Sequence, residues 1–211
     1  IQASMLEEEH FVDYLFPILR YHSRITELTS SDLKYYFKDK QRTTAGYYMR
    51  VDTDPYEEGI WDEEEPDDFT LGENAMDYLD KIRLLCEKND IRLLLVKAPS
   101  MSPVWYDEWE TQVQDYAQNY DLDYINFLQI ADEIGIDYDT DTYDQGLHMN
   151  LSGAEKCAEY LGKYLTENYE LKDLRADKKI SSDWKKKTKF YEDMKDAQYK
   201  ELKEYGEIIS Y

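Results

Sequence analysis

Ile91-Arg-Leu-Leu-Leu-Val96 is apolar at five of six positions and follows an Asn89-Asp90 turn. A run so short and so apolar reads as a strand covered on both faces, which is the pattern of a parallel sheet. Pro99 and Pro103 bracket the loop after it. Upstream, Leu71, Ala75, Tyr78, Leu79, Ile82, Leu85 and Cys86 form one apolar stripe at helical spacing, with Thr70 placed to cap a helix running to about Lys88. Downstream, Trp105, Trp109, Val113, Tyr116, Ala117 and Tyr120 mark a second helix, and Asp123-Tyr-Ile-Asn-Phe127 a second strand. A loop through Ile134-Gly135 leads to a third helix, capped by Ser152, with Cys157, Leu161 and Leu165 inward. This alternation predicts an α/β domain with parallel strands.

The flanks differ from this middle. Residues 1–69 form a lead-in: Phe11, Leu15, Ile18 and Leu19 sit at helical spacing over 5–21, and a short helix is expected after Thr29-Ser30-Ser31-Asp32. Residues 40–69 look irregular, and the acidic tract from Asp52 to Asp68, with Pro55, Gly59 and Pro66, reads as a solvated loop. The α/β part spans 70–170. Residues 171–211 are Lys-rich, and Trp184, Phe190, Tyr191, Met194, Tyr199, Leu202 and Tyr205 predict one long C-terminal amphipathic helix, free to pack on the core or meet a partner.

A net charge of −22 argues against nucleic acid, whose phosphates would repel it, and against anionic lipid held through a basic face. No run of about 18 apolar residues is present to span a membrane. The first residues, Ile1-Gln-Ala-Ser-Met, lack a basic start and an apolar stretch, so no signal peptide is read there. Opening on Ile, the chain reads as a piece of something longer. Cys86 and Cys157 read as small buried hydrophobes. The 21 tyrosines suit helix edges, or contacts with carbohydrate or protein.

The chemistry concentrates in Asp141-Thr-Tyr-Asp144-Gln-Gly-Leu-His148-Met-Asn150-Leu-Ser-Gly153. This loop follows the second strand, on the side where open α/β sheets place ligands. A carboxylate at Asp144 that holds one imidazole nitrogen of His148 would fix the tautomer and leave the other nitrogen as a general base. His10 and His22 have no acid at such spacing. Asp137, Asp139, Asp141 and Asp144 resemble the start of a calcium loop, but Thr142 stands where Gly is required and His148 where a bidentate Glu is required. No metal or cofactor is therefore expected. Ser100 and Ser102, in Lys97-Ala-Pro-Ser-Met-Ser-Pro103, follow a strand but lack a Gly-x-Ser-x-Gly elbow, and read as turn hydroxyls.

Asp144-Gln-Gly-Leu-His148-Met-Asn-Leu-Ser-Gly-Ala-Glu-Lys, followed by an amphipathic helix, resembles the last block of SGNH/GDSL-type hydrolases. The strands at Leu93–Lys97 and Asp123–Phe127 resemble the final two of that fold, and the likeness covers roughly residues 70–168. It is nearest to the membrane-tethered cell-envelope branch of the family, of the DltD and alginate-acetylation type. The resemblance implies a flavodoxin-like three-layer fold and a serine nucleophile, with His148 as base and Asp144 as its orienter. It implies no metal. It further implies ester hydrolysis or O-acyl transfer on an acylated, cell-envelope carbohydrate substrate. An extracytoplasmic place follows, with tethering through a segment not in this chain.

Two departures matter. Three residues separate Asp144 from His148 where the family pattern has two, so Asp141 is an alternative orienter. The family's Gly-Asp-Ser and Gly-x-Asn-Asp blocks are absent, so the nucleophile is expected in an N-terminal half outside this chain. A piece with about two strands is marginal alone, and is expected to associate with that half, with itself or with its own tail. The alternative function is a non-enzymatic interaction module working through the 52–68 loop and the C-terminal helix. Trp105 and Trp109 are expected either to line a cleft or to pack in the core.

Overall fold

The computed structural model describes residues 47–61 and 64–210, within the compact unit Thr43–Tyr211. The helices expected over 5–21 and after Thr29, and with them His10 and His22, lie outside the described residues. The element order is α1 (Glu73–Lys88), β1 (Leu94–Lys97), α2 (Asp107–Asn119), β2 (Asp123–Asn126), α3 (Leu151–Asn168) and α4 (Lys178–Tyr205). β1 and β2 pair in parallel, Leu94 opposite Asp123 through Lys97 opposite Asn126. The protein is thus a mixed α/β chain with a two-stranded parallel sheet among the described residues and a long C-terminal helix.

The sheet is covered unevenly. Ile125 and Phe127 are buried together with Tyr116 and Ala117 of α2, and the Phe127 ring meets Tyr160 of α3 edge-on. β1, in contrast, leaves Val96 47% exposed. The expectation of a strand buried on both faces is corrected here. The reason is local: α1 buries none of its residues, and Ile82 and Leu85 of its stripe face solvent, as does Leu84 beside them. Among the described residues only β2 pairs with β1, and no second strand covers its other edge.

Two caps also differ from expectation. α1 starts after Gly72 rather than at Thr70, because the Leu71 N–H donates to Gln112 Oε1 of α2 and holds the chain extended there. α3 is capped by Asn150 rather than Ser152: Asn150 Oδ1 accepts from the Gly153 N–H at 3.3 Å, a standard N-cap bond, and Ser152 falls inside the first turn.

α4 begins at the Asp177 cap and stops at Gly206, whose φ of 78° gives the left-handed end that glycine favours. Its C-terminal half brings Tyr191, Met194 and Leu202 onto a core of Met49, Val51, Leu151 and Ile208. Gln198, fully buried there, donates to the carbonyls of Met49 (3.0 Å) and Ser210 (2.8 Å). The stretch from Lys178 to Lys189 remains mostly exposed.

The irregular segment 47–61 is a strap against the loop before α3. Leu151 N–H donates to Arg50 O (2.6 Å), Asp54 N–H to Thr142 O (3.0 Å) and Tyr56 N–H to Tyr138 O (3.1 Å). Its acid side chains Asp54, Glu57 and Glu58, like Glu64, Glu65, Asp67 and Asp68 beyond, are solvated as expected. No described helix is long and apolar enough to cross a membrane.

Candidate active site

The loop from Asp141 to Asn150 is closed at its base by an isolated antiparallel bridge between Thr142 and Met149. Thr142 is fully buried, and its Oγ1 donates to Asp54 O at 2.6 Å. Between the bridge residues the chain turns through two left-handed positions, Gln145 (φ 59°) and Gly146 (φ 91°). The Gln145 N–H donates to Asp54 O, and Gly146 O accepts from the Met101 N–H at 2.8 Å. A Cβ on Gly146 would lie 3.0 Å from Met101 Cγ and 3.1 Å from Tyr56 Cδ2. Close packing and positive φ therefore both favour glycine there. Trp61 Nε1 caps the turn on Gln145 O at 2.7 Å.

This turn brings Asp144 back onto His148. One carboxylate oxygen lies 2.6 Å from His148 Nδ1, and the other accepts the His148 backbone N–H at 2.7 Å. An ionised carboxylate only accepts, so Nδ1 carries the hydrogen and the lone pair of the neutral ring sits on Nε2. Nε2 has no hydrogen-bond partner among the described residues, and the side chain is 66% exposed. The ring lies parallel to Tyr143 (centroids 5.8 Å apart, 12° between planes), and the Arg50 guanidinium covers Tyr143 at 4.8 Å. Arg50 is in turn paired with Asp52.

Asp141 has a different task. Its carboxylate is buried and bonded to Lys156 Nζ of α3 (2.5 Å) and to the Asp137 N–H (2.8 Å). The alternative in which Asp141 orients the imidazole is therefore not realised. Burial pushes this carboxyl up, but the bonds from Lys156 and the Asp137 amide outweigh it and hold its pKa below the usual value. A carboxylate lowered on folding stabilises the fold above its unfolded pKa, about 3.9, and that contribution is lost as pH falls further. Asp141→Asn is expected to lower unfolding stability at neutral pH by about 1–3 kcal/mol, and the gap to the parent protein should close below about pH 4. Denaturant midpoints measured across pH check this.

The four acids of the calcium-like run diverge. Asp137 Oδ1 accepts from the Asp139 N–H, Asp141 faces Lys156, and Asp144 faces His148. No group of three or more metal-ligating side chains converges among the described residues. Asn150 locks the loop to the strap, its Nδ2 donating to Thr140 O at 2.8 Å and Asp52 O at 3.1 Å.

Ser100 Oγ donates to Ser102 O at 2.8 Å, so this hydroxyl closes its own turn. That turn lies beside the site loop through the Met101–Gly146 bond. Nearby, at the carboxyl ends of β1 and β2, buried Glu110 accepts from Trp105, Tyr124, Asn126 and Gln114 at 2.7–2.8 Å. Burial raises its pKa, and the four donors more than reverse that. Trp105 packs edge-on against Trp109 and lies under Lys97 Nζ at 5.3 Å. Cys86 and Cys157 are unbonded and half-buried, and burial pushes the Cys157 thiol up to about 11.

Arg50, Tyr143 and Lys156 were not singled out by sequence reasoning, and Asn150 was named in the loop but not as the cap of the following helix. Asn150 carried a signal, as a capping residue type directly before a helical pattern. Arg50, 98 positions from the histidine, carried none. No protein-family model, curated protein or solved structure matches this chain.

Proposed function

We propose that the chain is the Asp/His-bearing part of a serine-dependent SGNH-type esterase or O-acyltransferase, with a flavodoxin-like sheet completed by strands outside it. The observation that carries this reading is the two-point grip of Asp144 on His148, which leaves Nε2 unbonded and open to solvent. In this reading Nε2 takes the proton of a serine hydroxyl as that oxygen bonds to the ester carbonyl carbon. Asp144 stabilises the resulting imidazolium. Nε2 then returns the proton to the leaving alkoxide as the carbon–oxygen bond breaks. Water or an acceptor hydroxyl, deprotonated in the same way, releases the acyl group. An acylated cell-envelope carbohydrate as substrate, and an extracytoplasmic, tethered setting, stand on the sequence resemblance alone.

The serine is assigned to another segment, because Ser100 is engaged with Ser102 O. The exposed Val96 of β1 and the exposed residues of the α1 stripe suit this assignment, since further strands from an N-terminal half would cover both. A fluorophosphonate probe tests the reading. The polypeptide that also carries the serine should be labelled, His148→Ala should abolish labelling, and the present chain alone should stay unlabelled. Labelling of this chain at Ser100 would refute the assignment of the nucleophile. A non-enzymatic interaction module is the second reading, favoured by one observation, the exposed first half of α4.

A further inference from the structure

Residues 172–189 carry eight Lys or Arg and three Asp, a local charge of +5 in a chain of −22. The structure gathers them on the approach to α4 and its first three turns. Arg175 pairs with Asp173, and Lys189 with Asp193. Lys172, Lys178, Lys179 and Lys185 have no carboxylate within ion-pair distance among the described residues. Apolar groups lie among these cations. Leu174, Ile180 and Trp184, with the stems of Arg175, Lys185 and Lys189, line a groove of about 520 Å³. Trp184 is 59% exposed and Leu171 60%, and Lys187 Nζ lies 5.0 Å from the Trp184 ring.

A solvated helix face needs none of this apolar surface, and a core helix would bury it. Lysines flanking Trp and Leu on a short amphipathic stretch match the chemistry of a membrane interface. There the rings and aliphatic chains enter the headgroup boundary, and the long ammonium stems reach lipid phosphates. This face departs from the expectation that the net charge of −22 argues against anionic lipid, because that charge averages over the whole chain while charges more than about 10 Å away are screened at physiological salt.

We propose that the face formed by residues 171–189 docks on an anionic lipid surface. The helix would lie flat, with Trp184 and Leu174 inserted and Lys178, Lys185 and Lys187, which flank the groove on the helix wheel, against headgroup phosphates. This proposal is independent of the assignment of His148 to catalysis.

Co-sedimentation of the 1–211 chain with vesicles tests it. Vesicles of phosphatidylcholine containing about one-third phosphatidylglycerol should bind the chain in low salt and release it at about 0.5 M salt, while pure phosphatidylcholine should not bind it. The triple variant Lys178→Glu, Lys185→Glu, Lys187→Glu should weaken partitioning at least about a hundredfold, and Trp184→Ala roughly tenfold. Circular dichroism establishes that each variant keeps its helix. If the triple variant loses its helix, the salt series and Trp184→Ala decide the matter. Equal binding to both vesicle types, or anionic binding that the variants and salt leave unchanged, overturns the proposal. So does capture by polyglutamate without vesicle binding, which would point to an acidic protein partner.

Discussion

If the proposed esterase or acyltransferase reading holds, Asp144→Asn is expected to lower kcat of the polypeptide that also carries the serine about 10,000-fold, with KM within a few-fold of the parent value. In the structure both carboxylate oxygens are engaged, one with the ring Nδ1 and one with the His148 amide. An asparagine can satisfy only one of these with its oxygen. If the oxygen keeps the backbone amide, the side-chain NH2 faces Nδ1 and draws the ring hydrogen to Nε2. The nitrogen that should accept the serine proton would then carry one. Turnover of a p-nitrophenyl ester, followed across pH in the polypeptide that includes the serine, provides the measurement. Activity within tenfold of the parent would sink the base assignment for His148. Asp141→Asn is the internal contrast: it should lower stability while leaving kcat of the folded protein within a few-fold, since Asp141 faces Lys156.

Gly153→Ala is expected to be the most damaging single methyl addition near the site. A Cβ at Gly153 would lie 2.6 Å from Asp141 O and 2.7 Å from Met149 Sδ. The methionine can move, but the carbonyl belongs to backbone that accepts the Asn150 N–H at 2.9 Å. Helix start and loop must therefore separate, at a cost of about 3 kcal/mol or more. The expected readout is a fall in Tm, with loss of the Asp144–His148 bond as seen by the His148 imidazole NMR shift. Gly162→Ala on the same helix is the control, because nothing lies within 4 Å of its added methyl. A Gly153→Ala protein as stable as the parent would show that the loop can recede from α3 without cost.

Some of this was readable from residue pattern and some was not. The alternation from α1 through α3 and the parallel sense of the two strands follow from a short apolar run, turn residues and helical stripes, all of them local signals, whereas the register that sets Val96 opposite Ile125 does not. A long C-terminal helix was also legible from the stripe Trp184 to Tyr205, although the helix itself starts earlier, at Lys178. The choice between Asp141 and Asp144 was not, because both spacings reach a histidine on paper. It is decided by Lys156, which α3 places over Asp141. The cap at Asn150 was missed in favour of Ser152 because both residue types cap helices. The Leu151–Arg50 bond that fixes where the helix starts leaves no mark in sequence. The strap of 47–61 was the least visible element. It is held largely through backbone groups such as Asp54 N and Thr142 O, and a carbonyl has no residue type to betray it.

The contact of Gln198 with Met49 O has a consequence for the order of assembly. The two residues are separated by almost the whole described chain, and closing so large a loop is slow compared with forming α3 or the β1–β2 pair. During synthesis Asp144 and His148 leave the ribosome before the helix turn that carries Gln198. Until that turn arrives, Met49 and Val51 lack the α4 side of their core, and the strap is held only by its bonds to the histidine loop and to the start of α3. The packing behind the strap is therefore completed only by a segment made about 50 residues after the acid–histidine pair it supports.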